Sequence, residues 1–151
     1  MLFQIIRTDS SNPNFIKMVK LLDAYLAQKD GEEHSFYAQY NGITSIKYAV
    51  IVYLNDEPVG CGAIKEQSTK AMEIKRMYVI PRERGKSIAT QILSTLELWA
   101  SELGYEKCVL ETGKRQPEAI ALYQKNGYKI TPNYGQYIGI ENSVCFEKKL
   151  D

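Results

Sequence analysis

The stretch Glu73–Leu93, EIKRMYVIPRERGKSIATQIL, decides the fold. It begins as an apolar strand that Pro81 ends, passes through the short basic loop Arg82–Ser87, and continues with Ile88, Ile92 and Leu93 at helical spacing. A helix N-terminus offers unpaired backbone N–H groups and the positive end of the macrodipole. Gly85 lets an anion approach the backbone closely, and Arg82, Arg84 and Lys86 add formal charge. The loop therefore reads as a phosphate cradle at the carboxyl end of a strand, and the chain is expected to bind a phosphorylated ligand.

Downstream, Leu96, Trp99, Ala100 and Leu103 extend the helix face begun by Ile88, and Gly104 supplies a stop. Lys107–Thr112 reads as a strand, Pro117 opens a helix carrying Ile120 and Tyr123, and Gly127 closes it. Tyr128–Ile130 and Ser143–Leu150 complete the strand set. Upstream, Leu2–Ile6 is a first strand, Asn12-Pro13 a cap and first turn, and Phe15, Met18, Val19, Leu22 and Leu26 a helix face. Residues 30–46 are polar with Phe36, Tyr37 and Tyr40 among them, as in a short helix and loop. Tyr48–Leu54, the turn Asn55-Asp56 and Val59–Ile64 form a hairpin, in which Gly60 and Gly62 signal a close approach or a bulge. Strands joined partly by hairpins and partly through helices imply a mixed α/β sheet rather than a doubly wound parallel one. No repeat or linker divides residues 1–151, which read as one domain.

The net charge of +1 provides no broad field for nucleic acid or anionic membrane, so the clustered cations at 82, 84 and 86 suit a small polyanion. No apolar run approaches the roughly 20 residues of a membrane span, and MLFQIIRTDSSNP lacks the pattern of a secretory signal. Cys61, Cys108 and Cys145 are odd in number and widely spaced, and His34 is the only histidine, so no metal site is expected. The cysteines lie in apolar contexts that suit buried, inert thiols, consistent with a reducing, cytoplasmic setting.

Gly85-Lys86-Ser87 invites comparison with a Walker A loop, but that motif needs a glycine where Ile80 stands, and the dinucleotide fingerprint G-x-G-x-x-G is absent. The segment Arg82-Glu83-Arg84-Gly85-Lys86-Ser87 resembles the Q/R-x-x-G-x-G/A pyrophosphate loop of the GNAT superfamily of acetyl-CoA-dependent N-acetyltransferases, with Ser87 in place of the second small residue. Its Cβ makes a left-handed backbone less comfortable there. A second block agrees: Gln116-Pro117-Glu118-Ala119, Leu122-Tyr123 and Gly127-Tyr128 are similar to the family's N-P-x-A-x-x-L-Y followed by G-F/Y, with Gln116 where Asn is usual.

The resemblance implies a mixed, mostly antiparallel sheet flanked by helices, with acetyl-CoA as cosubstrate. Its diphosphate would lie on the amides of Arg84 to Ala89, including Ile88, with Gln116 and Ala119 beside it. In the family the strand before the loop splays at a bulge, and here its freed N–H groups would be those of Met77 and Val79. A donor aimed at a developing oxyanion is worth about 3 kcal/mol. Tyr123 is the candidate general acid, or else packs beside Ile120. Glu73 is the candidate general base, or else a strand-end carboxylate paired with Lys75 or Lys70. His34, beside Glu32 and Glu33, reads as a surface residue that could reach an acceptor pocket. The cysteines lack a neighbouring histidine, so direct transfer is simpler than an acyl-enzyme. Asn133, Tyr134, Tyr137, Glu141 and Asn142 could line the acceptor site or staple a surface hairpin.

The expected acceptor is a small-molecule or peptidic amine: an amino acid, peptide terminus, polyamine or aminosugar. The alternative is a catalytically idle CoA-binding module on the same scaffold. Family members often dimerise, so a homodimer is one expectation.

Overall fold

The computed structural model describes residues 3–30 and 46–151. The expectations for residues 31–45, including His34, Phe36, Tyr37 and Tyr40, lie outside the described residues. The strands are β1 (Phe3–Thr8), β2 (Tyr48–Leu54), β3 (Glu57–Ser68), β4 (Ala71–Val79), β5 (Lys107–Gly113), β6 (Lys129–Thr131) and β7 (Ser143–Lys149). The helices are α1 (Pro13–Asp30), α2 (Ile88–Glu102) and α3 (Pro117–Lys125). The seven strands form one sheet in the order β1-β2-β3-β4-β5-β7-β6. Among them β4 and β5 pair in parallel and every other pairing is antiparallel.

Local chemistry sets the boundaries. Asn12 Oδ1 accepts from the N–H groups of Asn14 (2.8 Å) and Phe15 (3.3 Å), capping α1 ahead of Pro13. Asn55 and Asp56 both take positive φ, as a tight hairpin turn requires. Gly104, at φ 92°, lies just beyond the last turn of α2. Because α2 ends at Glu102, Leu103 falls outside the apolar face the sequence suggests and is exposed. Ile88, Ile92, Leu93, Leu96 and Ala100 bury that face against the sheet.

Two features of β4 create the site. First, its parallel ladder with β5 lasts only from Ala71↔Lys107 to Glu73↔Val109, after which the strands part. Second, the β3–β4 register slips between Cys61↔Tyr78 and Ala63↔Lys75, so Arg76 and Met77 together face Gly62. Arg76 takes φ 58° at this bulge. Cys61 shares a face with Ala63, Lys75 and Tyr78, and the Tyr78 ring meets Tyr25 of α1 with centroids 6.3 Å apart. Gly60 and Gly62 face the other way, against Ile92 of α2.

Candidate active site

The parting of β4 from β5 opens a cleft of about 460 Å³, walled by α1, by the start of α2 and by α3. At one end, Pro81–Glu83 forms a short 3₁₀ turn, and Gly85 (φ 81°) and Ser87 (φ 65°) both adopt left-handed backbone before α2 begins. Ser87 thus takes the strained conformation that its side chain makes costly. No side chain caps α2, and its first helical backbone bond runs from Gln91 N–H to Ser87 O at 3.1 Å. The donors of Ile88, Ala89 and Thr90 therefore have no intrahelical partner, and all three residues line the cleft. Unpaired donors at a helix start have the chemistry to accept an anion such as a diphosphate.

The loop cations contribute less than their number suggests. Arg84 Nε donates to Val79 O at 2.8 Å, and its guanidinium stacks near Tyr25 and Tyr78. Lys86 pairs with buried Glu83 at 2.6 Å, and Arg82 with Glu57 at 3.0 Å. Neither Arg82 nor Lys86 lines the cleft, whereas Met77, Val79, Arg84, Gly85, Ser87, Ile88, Ala89, Gln116 and Ala119 do. At this end the unpartnered donors are backbone groups, while Arg82 and Lys86 are already paired with carboxylates.

Along β4, Ile80 N–H donates to Val59 O at 2.9 Å, so strand alternation turns the Val79 N–H away from β3 and toward the gap. Tyr123, on α3, is buried with its ring edge-on to Tyr128 and beside Phe146, and it lines the same cleft. Among the described residues its hydroxyl has no hydrogen-bonding partner. Burial, reinforced by Glu111, pushes the phenol above its ordinary pKa.

At the far end, Glu73 is buried; its Oε2 accepts from the Tyr134 hydroxyl at 2.8 Å, and Oε1 lies 3.8 Å from Lys75 Nζ. Lys70 instead lies 3.9 Å from Glu106. Asn133 Nδ2 donates to the carbonyls of Tyr137 and Ile140, pinning the loop that carries Tyr134 and Tyr137. That loop both staples itself and delivers Tyr137 to the cleft. Glu141 is not among the cleft residues. Cys61, Cys108 and Cys145 are buried free thiols, pushed by burial to about 12, 12 and 11.

The fold has known counterparts. A model of the acetyltransferase (GNAT) family matches residues 15–128. The chain belongs to the GNAT family. It is an enzyme of the acetyltransferase class. A relative, the IAA acetyltransferase of Azospirillum brasilense, is 32% identical over 138 residues, covering 89% of this chain and 90% of that one. A solved structure from Klebsiella pneumoniae subsp. pneumoniae MGH 78578, assigned as an acyl-CoA N-acyltransferase, superposes with a TM-score of 0.82 at 30% identity over 99% of each chain. The crystal structure of a GNAT family acetyltransferase from Elizabethkingia anophelis with acetyl-CoA bound shares the fold, with a TM-score of 0.72 at 22% identity over 98% of each chain. In this GNAT chain Lys75, Arg76, Glu83 and Glu111 also line the cleft, beyond the residues expected from the sequence. Lys75 stands two positions from Glu73 on one strand face, a signal that was legible; Arg76 joins that side only through the bulge.

Proposed function

We propose that this chain is an N-acetyltransferase, folded as a single domain, that passes the acetyl group of acetyl-CoA directly to a primary amine. The observation that carries the reading is the uncapped start of α2, with left-handed Gly85 and Ser87, opening onto the same cleft as Tyr123. The N–H groups of Ile88, Ala89 and Thr90 would hold the diphosphate, and those of Met77 and Val79 would meet the amide-bearing arm and the acyl oxygen. Bound acetyl-CoA supplies an activated acyl group and a thiol leaving group.

Tyr123, neutral at physiological pH because burial strengthens its hold on the proton, serves as a donor at the leaving sulfur. Glu73, held in place by Tyr134, takes the proton of the attacking amine directly or through water. The high thiol pKa values disfavour an acyl-enzyme on any of the three cysteines.

Thermal unfolding with acetyl-CoA tests the binding half. At 100 times its dissociation constant the ligand should add roughly 2.7 kcal/mol, and no shift at millimolar concentration refutes the reading. Release of CoA thiol with amino acids, peptides, polyamines and aminosugars tests the chemical half. Tyr123→Phe and Glu73→Gln should each slow turnover roughly 10²-fold while keeping the thermal shift. A shift without thiol release from any amine favours the idle CoA-binding module instead.

A further inference from the structure

We propose that Lys75, backed by Arg76, forms a carboxylate-binding subsite at the inner end of the cleft, so that the acceptor is an amine that also bears a carboxylate, of the amino-acid class. This rests on the acetyl-transfer reading above and specifies its acceptor.

The bulge in β4 sets two consecutive cations on the α1 side of the sheet. Lys75 shares the face of Tyr78, and the Arg76 guanidinium reaches Asp23 and Val19 O of α1. The Lys75 side chain is only 7% exposed, yet Nζ makes no hydrogen bond among the described residues. Its nearest acceptor is Glu73 Oε1, at 3.8 Å. An ammonium carries three donors, and Nζ, unlike the fully enclosed Arg76 Nε, opens on the cleft, where it can offer them to a ligand. Behind it, Arg76 Nε is the one fully buried side-chain nitrogen or oxygen among the described residues that lacks a partner.

The carboxylates nearby are already engaged. Glu73 Oε2 accepts from Tyr134, and Glu111 Oε2 accepts from Ser143 Oγ at 2.7 Å. Among the described residues the hydrogen-bonding capacity left open at this end is on Lys75 Nζ and Arg76 Nε, which suits an anionic group on the ligand. A polyamine would require the reverse. Lys75 also faces Lys65, Arg76, Glu73 and Glu111 electrostatically, and burial holds it below the usual lysine range. An arriving carboxylate relieves that penalty. The amine of the same molecule would then lie near Glu73, the candidate base.

The test compares the standard amino acids with their α-amides as acceptors, by thiol release at saturating acetyl-CoA. The less basic amine of the amide gives it the chemical advantage, so the comparison is biased against the proposal. The best amino acid should exceed its amide in kcat/KM by roughly 10- to 100-fold, expressed mainly in KM. Lys75→Met, which keeps most of the bulk and removes the charge, should bring the ratio near one, and Lys75→Arg should retain most of it. Amides that match or beat their parent acids throughout, or a ratio that survives in Lys75→Met, overturn the subsite. Should Lys75→Met fail to fold, the wild-type ratio and Lys75→Gln decide. If acetyl-CoA stabilises the protein but no amine releases thiol, the acetyl-transfer reading is what fails. Calorimetric titration of the same pairs onto CoA-loaded protein then reads the carboxylate preference without turnover.

Discussion

Gly62→Ala is expected to damage both the fold and the grip on acetyl-CoA. A Cβ at position 62 would lie 2.7 Å from Ile92 Cγ2, 2.8 Å from Met77 Sδ and 3.0 Å from Leu96 Cδ1. The Met77 thioether can swing aside. Ile92 is β-branched and sits on a helix, where one rotamer dominates, so α2 itself must shift. Overpacking of this kind costs about 1–3 kcal/mol, and the reduced freedom of the unfolded chain offsets about 0.4–1 kcal/mol of it. The net loss of about 1–2 kcal/mol corresponds to a fall in Tm of about 2–8 °C for a chain of this size. At Gly60 the closest approach is 3.2 Å, to Ile92 Cδ1, so Gly60→Ala should cost less. Because α2 carries the uncapped donors and Met77 the bulge, Gly62→Ala should also shrink the thermal shift produced by acetyl-CoA. Melting curves of both variants with and without the ligand provide the assay. A Gly62→Ala protein that melts with or above wild type, or a Gly60→Ala protein that melts lower still, refutes the packing argument.

The three thiols should resist alkylation at pH 8 until the protein unfolds, as a labelling time course in denaturant would read; rapid native labelling of any of them contradicts their burial. The same groups predict alkaline destabilisation. Unfolded thiols titrate near 8.5, about, while the folded ones are raised to about 12 for Cys61 and Cys108 and about 11 for Cys145. Their contribution is thus fully present below the unfolded value and is lost as pH climbs toward the folded ones, so Tm should fall between those limits. Ser87→Gly should keep or improve acetyl-CoA binding, because glycine accepts φ 65° without strain, whereas Ser87→Val should lose about 1–2 kcal/mol of stability and part of the ligand-induced shift; equal behaviour of the two variants rules out a left-handed loop.

The fold was legible where local chemistry decides it. Asn12-Pro13, Asn55-Asp56 and Gly104 punctuate the chain where the structure turns or caps it, and the spacing of Ile88, Ile92 and Leu96 marks the face that α2 buries. The loop at Gly85 was legible for the same reason: a strand end, a glycine and a helix start are neighbours in sequence. The bulge in β4 was expected only through the family resemblance; nothing local marks its position, because arginine carries no turn signal and the slip arises from pairing with Gly62 on another strand. The Tyr134–Glu73 bond joins residues 61 positions apart, beyond any local pattern. The partners of the loop cations were not legible, because Glu57 reaches Arg82 only through the tertiary fold.

The brief β4–β5 ladder has one further consequence. Past Glu73 a strand at the middle of the sheet becomes, in effect, a border strand. Borders of this kind ordinarily recruit other polypeptides and invite clumping. Here that border lies between α1, α2 and α3 rather than at the outer rim of the sheet. A hazard common to β proteins has been turned inward.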